Sequence, residues 1–199
     1  DTPDHLDGLA LMPLFLALRA AIRAMVSVQA GRLSDDDRND RTAEARAYLK
    51  DARAHLTPPP PRLIAVGGLS GTGKTTLARH LAPHVGPAPG AIHLRSDLER
   101  KALFNVDPLT PLPDTAYAPE VSARVYDRLL DKARRILSAG HSVIVDAVFA
   151  HEDERRRLDD LAQASGARLT GLWLTVDAET MIERVEARQG DASDADAAV

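Results

Sequence analysis

One octapeptide, Gly68-Leu69-Ser70-Gly71-Thr72-Gly73-Lys74-Thr75, constrains the chain more than any other stretch, because it fits G-x-x-x-x-G-K-S/T. The context also fits: the apolar run RLIAV (62–66) precedes it and the helical pattern TTLARHLA (75–82) follows it. Strand, glycine turn and helix in that order have few folds open to them. The glycines let the backbone curl until successive N–H groups point inward at phosphate oxygens. A helix starting near Gly73 adds the positive end of its dipole. Lys74 brings a mobile cation to β- and γ-phosphates, and the Thr75 hydroxyl can ligate Mg²⁺, which prefers oxygen. Gly68, Leu69, Ser70, Gly71, Thr72, Gly73, Lys74, Thr75 and Thr76 are therefore the expected nucleotide-binding residues. A turn that merely joined strand to helix would need neither the lysine nor the threonine.

Beyond this point strand and helix patterns alternate. Strands are expected at 62–66, 91–95, 142–147 and 168–176, and helices in DLERKALF (97–104), 120–138, 151–165 and 178–188. Such alternation specifies an α/β fold, a parallel sheet with helices on both faces. Pro108, Pro111 and Pro113, with Pro119 just beyond, make 106–117 an irregular excursion. Trp173 alternates with apolar neighbours and reads as core. No apolar strand follows in GDASDADAAV, so the sheet looks one strand short and the chain cut off.

Upstream the character differs. Residues 8–31 and 34–56 read as two helices, the first stopped by Gly31 and the second capped by Ser34. TPPPPR (57–62) forbids helix and makes a stiff spacer. The expected organisation is a helical segment 1–56, a linker 57–61 and an α/β domain 62–199. The apolar run Leu9 to Leu18 contains Pro13 and falls short of the roughly 20 residues of a membrane span. It reads as a buried helix. With an acidic opening and no basic n-region, the protein is expected to be soluble and cytoplasmic, without a membrane partner. A net charge of -4 argues against long duplex nucleic acid as a ligand. The absence of cysteine excludes disulfides, thiolate metal sites and cysteine nucleophiles.

Other residues join the phosphate loop by position. Val143-Ile144-Val145-Asp146 is an apolar strand ending in a carboxylate, which delivers Asp146 to the sheet edge where ligands bind. There it could hold Mg²⁺, or simply end the strand in a turn. Asp97 follows the second strand and opens a helix, so it could accept the proton of an attacking hydroxyl, cap the helix, or do both. Arg184 and Arg188 lie four apart on one helix, either as lid cations for a transferring phosphoryl group or as a solvated face interleaved with Glu183 and Glu186. Arg124 and Arg128 could bind an anionic substrate or be ordinary surface charge. His80 and His84, also four apart, have no third ligand placed for a metal and read as surface.

Neither an N-K-x-D guanine signature nor an LSGGQ-type run is present. Taken together, GGLSGTGKTTLARHLA, HLRSDLERK, HSVIVDAVF and ERVEARQGDASDAD resemble the bacterial P-loop kinases related to gluconate kinase, zeta toxin and the kinase domain of phage polynucleotide kinase. The resemblance covers 62–199. It implies a P-loop NTPase three-layer sandwich that takes ATP and Mg²⁺ and phosphorylates a hydroxyl of a small-molecule or nucleotide-like acceptor. It also implies Asp97 as base, Arg100 as a substrate or phosphate contact, and a lid arginine at Arg188 or, less directly, Arg184. The segment LALMPLFLALRAAIRAMVSVQAGR resembles the end of an aminoglycoside-phosphotransferase-like domain, implying an intramolecular partner in a longer chain. A rival reading keeps ATP binding without transfer: a regulatory module of that neighbouring domain, or a slow hydrolase.

Overall fold

The computed structural model describes residues 5–33, 38–187 and 190–194. The chain divides into two compact units, Asp7–Pro59 and one built on Pro60–Val199.

The first unit is a pair of packed helices, α1 (Met12–Leu33) and α2 (Arg38–Leu56), entered through a 3-10 turn at Leu6–Leu11. Ala17, Ala20, Ala24 and Ser27 of α1 are buried, as are Ala45 and Ala52 of α2. Spacings of three and four keep the small α1 residues on one stripe, so the two backbones can approach closely. Gly31 belongs to that seam and does not stop the helix, which runs on to Leu33; a Cβ at Gly31 would sit 3.0 Å from Arg41 Cβ. Ser34, the expected cap of the second helix, lies outside the described residues.

The expectation of a buried first helix is corrected. Because the seam is alanine, the large side chains point elsewhere: Leu14, Phe15, Leu18, Ile22, Met25 and Val26 are all about half exposed. Nor does Pro13 break the run, since it sits in the first turn of α1, where a missing N–H costs nothing. The helical stretch Leu6–Arg32, with an 18-residue window of mean hydropathy 1.8, is long and apolar enough to cross a membrane by length and composition alone.

The second unit runs β1 (Arg62–Gly67), α3 (Lys74–Leu81), β2 (Ile92–Arg95), α4 (Ser96–Leu103), α5 (Pro119–Ser138), β3 (Val143–Asp146), α6 (Glu152–Ala164), β4 (Arg168–Trp173) and α7 (Ala178–Glu186). Among the described residues its four strands are parallel in the order β2-β3-β1-β4. Ile64, Val66 and Ile144 form one core cluster with Ala78 of α3 and Val85. Leu63, Val143 and Val145 alternate to the opposite face. There, α5 packs on the strands with the buried stripe Val125, Leu129, Ala133 and Ile136. Between α4 and α5 the proline-rich stretch is irregular apart from a 3-10 turn at Asp114–Tyr117, and Pro119 opens α5.

Trp173 is not core. It ends the edge strand β4, is 52% exposed, and lies against Gly67, where an added Cβ would come within 2.8 Å of the ring. Alternation on an edge strand does not guarantee burial, because one flank has no neighbouring strand.

Candidate functional site

Strand register builds the site. Val66 of β1 and Arg95 of β2 both pair with Asp146 of β3, so three strand ends stand level at the carboxyl edge of the sheet. In open parallel sheets ligands bind at that edge. A cleft of about 400 Å³ opens there, with Gly71, Lys74 and Thr75 on one wall and Arg95, Asp97 and Asp191 on the other.

The loop between β1 and α3 needs its glycines for two reasons. Gly71 and Gly73 have φ values of 83° and 92°, the left-handed region that side chains resist. Gly71 also has no room, since a Cβ would lie 2.6 Å from the carbonyl oxygen of Met181 in α7. The carbonyl of Leu69 closes the turn, accepting from the Thr72 hydroxyl at 2.7 Å and Lys74 Nζ at 2.8 Å. Behind it, the Gly68 N–H donates to Val148 O at 3.2 Å and ties the loop to the segment after β3. Ser70, Gly71, Gly73, Lys74, Thr75 and Thr76 line the cleft, whereas Gly68, Leu69 and Thr72 shape the turn behind them. Gly73 caps α3, whose first N–H groups therefore open toward the cleft.

Asp146 is 3% exposed. Its Oδ2 accepts from Thr75 Oγ1 at 2.6 Å, and His93 Nε2 approaches the same oxygen at 3.2 Å. Asp146 is thus held by the phosphate loop as well as ending β3. The Thr75 hydroxyl lines the cleft and the Asp146 carboxylate is buried directly behind it, an oxygen donor pair of the kind that suits a hard divalent cation.

Asp97 stands on the opposite wall. The cap position of α4 is Arg95, without a side-chain capping bond, so Asp97 sits inside the first turn and the capping role expected for it is corrected. Its pKa is raised: removal from water is the main cause, Asp146 and Asp191 add to it, and Arg95 and Lys74 oppose it. The side chain keeps 34% of its exposure, so a substrate hydroxyl can reach it.

Arg95 was not singled out by sequence reasoning. It is 6% exposed, Nη2 donates to Asp191 at 2.9 and 3.1 Å, and the same nitrogen lies 3.8 Å from Asp97. Its position as the last residue of a strand whose neighbour ends in Asp146 is the signal that could have found it. Asp191 and Asp194 had no such signal, since the side chains they bind, Arg95, Lys101 and Tyr117, lie more than 70 residues away in the chain. Locally, Asp191 Oδ1 accepts a turn-type bond from the Ser193 N–H at 3.0 Å.

The remaining arginines separate. Arg184 lines the cleft and donates to Gly71 O at 3.4 Å. Arg188 lies outside the described residues. Arg100 is buried, donates to Ala116 O at 2.6 Å and to Ser122 Oγ at 3.3 Å, and stacks 4.7 Å from the Tyr117 ring centroid. As placed it pins the proline-rich excursion and is not part of the cleft lining. Arg124 is exposed on α5 and likewise does not line the cleft. Arg128 pairs with Glu99, which also holds Lys132. His80 and His84 are both exposed.

Comparison with known proteins agrees with this geometry. The AAA domain family matches residues 63–199, and the chain belongs to that family. Uncharacterized proteins of Mycobacterium tuberculosis and Mycobacterium bovis are 32% identical over 194 residues, covering 96% of this chain and 38% of their own length. The match takes in the helical pair as well as the α/β unit, and the chain spans well under half of those relatives. Among solved structures, a candidate kinase of Chloroflexus aurantiacus is 25% identical, with a TM-score of 0.54, over 65% of this chain and 67% of its own. The APS kinase of Mycobacterium tuberculosis, solved with AMPPNP and APS, shares the fold at 22% identity and a TM-score of 0.51, over 65% of this chain and 71% of its own. The α/β unit has the P-loop kinase fold.

Proposed function

We propose that this AAA domain protein transfers the γ-phosphoryl group of Mg·ATP to a hydroxyl of a small-molecule or nucleotide-like acceptor. One observation carries the reading: Asp97, with a raised pKa, faces the cleft across from Lys74 and Thr75. A module that only held nucleotide would have no use for a base on that wall.

The residues present suit the nucleotide. The glycine cradle has no space for a Cβ at Gly71, and the backbone there is free to approach phosphate oxygens. Lys74, now folded onto Leu69 O, would swing to the β- and γ-phosphates. Thr75 and Asp146 would organise Mg²⁺, which when bound neutralises charge on the phosphate oxygens. Asp97 takes the proton of the acceptor hydroxyl. The acceptor oxygen bonds to the γ-phosphorus while the bond to the β,γ-bridging oxygen breaks, and that electron pair leaves with ADP. Arg184 would supply positive charge at the group in transit, and Arg188, outside the described residues, is the other candidate for that role.

Transfer of labelled γ-phosphate into a pooled panel of nucleosides, oligonucleotides, sugars and aminoglycosides tests the reading. Label entering one acceptor class, and lost with Asp97→Asn, is the expected result. Label found only in free phosphate would replace transfer by hydrolysis. Tight ATP binding with no label moved would favour a nucleotide-sensing module for a neighbouring domain.

A further inference from the structure

Segment 190–194 crosses the acceptor side of the cleft and is anchored there by two carboxylates. Asp191 holds Arg95 of β2. Asp194 accepts from Lys101 of α4, from the Tyr117 hydroxyl at 2.7 Å and from the Leu112 N–H at 3.1 Å. Burial opposes the charge on Asp194, but these donors outweigh it and hold its pKa below the ordinary carboxylate value. Lys101 is 2% exposed and closes its own shell with Thr110 O, so the Asp194 end is a structural knot.

The Asp191 end is different. Arg95 lines the cleft, and Asp191 stands beside it in the same lining with its side chain 22% exposed. A guanidinium binds an oxyanion best side-on, through Nε and Nη2 together. Asp191 places both of its oxygens on Nη2 and leaves Arg95 Nε buried without a hydrogen-bond partner. The nearest carboxylate oxygen to that Nε is Asp146 Oδ2, at 3.9 Å. The pairing satisfies the charge of Arg95 but not its geometry, in a position only 3.8 Å from the proposed base.

We propose that Arg95 is the anion-binding group of the acceptor subsite, and that Asp191 is its internal stand-in. The acceptor is then a hydroxyl compound that also carries an oxyanion, a phosphate or a carboxylate. It enters by displacing Asp191, and its oxyanion engages the Arg95 fork while its hydroxyl lies toward Asp97. The proposal rests on the kinase reading for the identity of the acceptor, but anion binding at Arg95 can be measured without any transfer.

The test uses the full chain with its phosphate loop filled by Mg·AMPPNP, titrated calorimetrically with inorganic phosphate. AMPPNP binding is measured first; its failure overturns the kinase reading alone, and the same phosphate titrations are then read on the chain without nucleotide. With nucleotide bound, Asp191→Asn should bind phosphate about tenfold more tightly than the wild type. Adding Arg95→Lys, which keeps the charge and loses the fork, should return the affinity to the wild-type level. Asp97→Asn is the control, because it removes a neighbouring negative charge, 3.8 Å from Arg95, without removing the carboxylate hydrogen-bonded to it, and its gain should be small. An Asp191→Asn gain that is absent, that survives Arg95→Lys, or that Asp97→Asn matches would overturn the proposal. Acetate in place of phosphate then tells the two oxyanions apart: a gain with either supports the subsite and names the kind of group it takes.

Discussion

The two walls of the cleft are built in opposite ways. The phosphate wall comes from one short run, residues 68–76, and its geometry is made by backbone: left-handed glycines, a helix start, and one carbonyl that gathers the turn. The acceptor wall is gathered from residues 95–97 and 191, and its geometry is made by side-chain charge. A wall of backbone presents the same N–H groups whatever surrounds it, and suits a ligand part that never changes, the polyphosphate. A wall of paired charges can be altered one residue at a time and suits the part that differs between enzymes.

Substitutions on the two walls should therefore fail differently. Asp97→Asn should show the largest effect, a loss of transfer of about 10² to 10⁴-fold, with nucleotide binding nearly unchanged. Retained turnover in a single-turnover assay would remove Asp97 from the base role. Lys74→Ala should come next, losing about 10² to 10³-fold in transfer and weakening nucleotide affinity as well. That double loss marks the phosphate wall, and an effect on transfer alone would erase the contrast.

Gly71→Ala should cost about 1–3 kcal/mol of stability, since the residue combines a positive φ with a 2.6 Å approach to the Met181 carbonyl. Chemical denaturation checks it, and an unchanged midpoint would mean that α7 can retreat from the loop.

The smallest effects concern pH, and here two carboxylates on the acceptor side should act with opposite sign. Asp194 has a depressed pKa, so its contribution is full above the unfolded carboxylate value near 3.8 and is lost as pH falls through the folded pKa. Asp97 has a raised pKa, so the folded state loses stability as pH rises from the unfolded value through the folded one. At neutral pH Asp97→Asn should therefore raise Tm slightly. Asp194→Asn should lower Tm at neutral pH and flatten its fall in acid. Thermal melts from pH 3 to pH 8 would reveal both signs.

Much of this architecture is legible in the residues because it is local. The β1–loop–α3 unit, Asp146 at a strand end and Asp97 just after β2 each carry their signal within a few positions. Side-chain pairing across the chain carries none, which hides Arg95 with Asp191 and Lys101 with Asp194. Burial misleads where packing inverts the usual preference. In α1 the alanines are inside and the leucines outside, and Trp173 sits on an edge strand that only half covers it. Gly31 reads as a terminator but serves as a close contact, a distinction that depends on Arg41 in the neighbouring helix.

The level register of Val66, Arg95 and Asp146 has a bearing on how this molecule tolerates change in length. Side chains alternate along a strand, so one residue inserted into β3 would turn Asp146 away from Thr75 and break that donor pair, even with every amino acid retained. The opposite ends of the strands carry no such restriction. Gly140 before β3 and Gly166 before β4 face open space, with no atom within 4 Å of an added Cβ. Loops grafted there would leave the spacing at the carboxyl edge intact. An engineer adding a reporter or a tether should cut the chain at those turns, and expect deletions or insertions of a single strand residue to silence it.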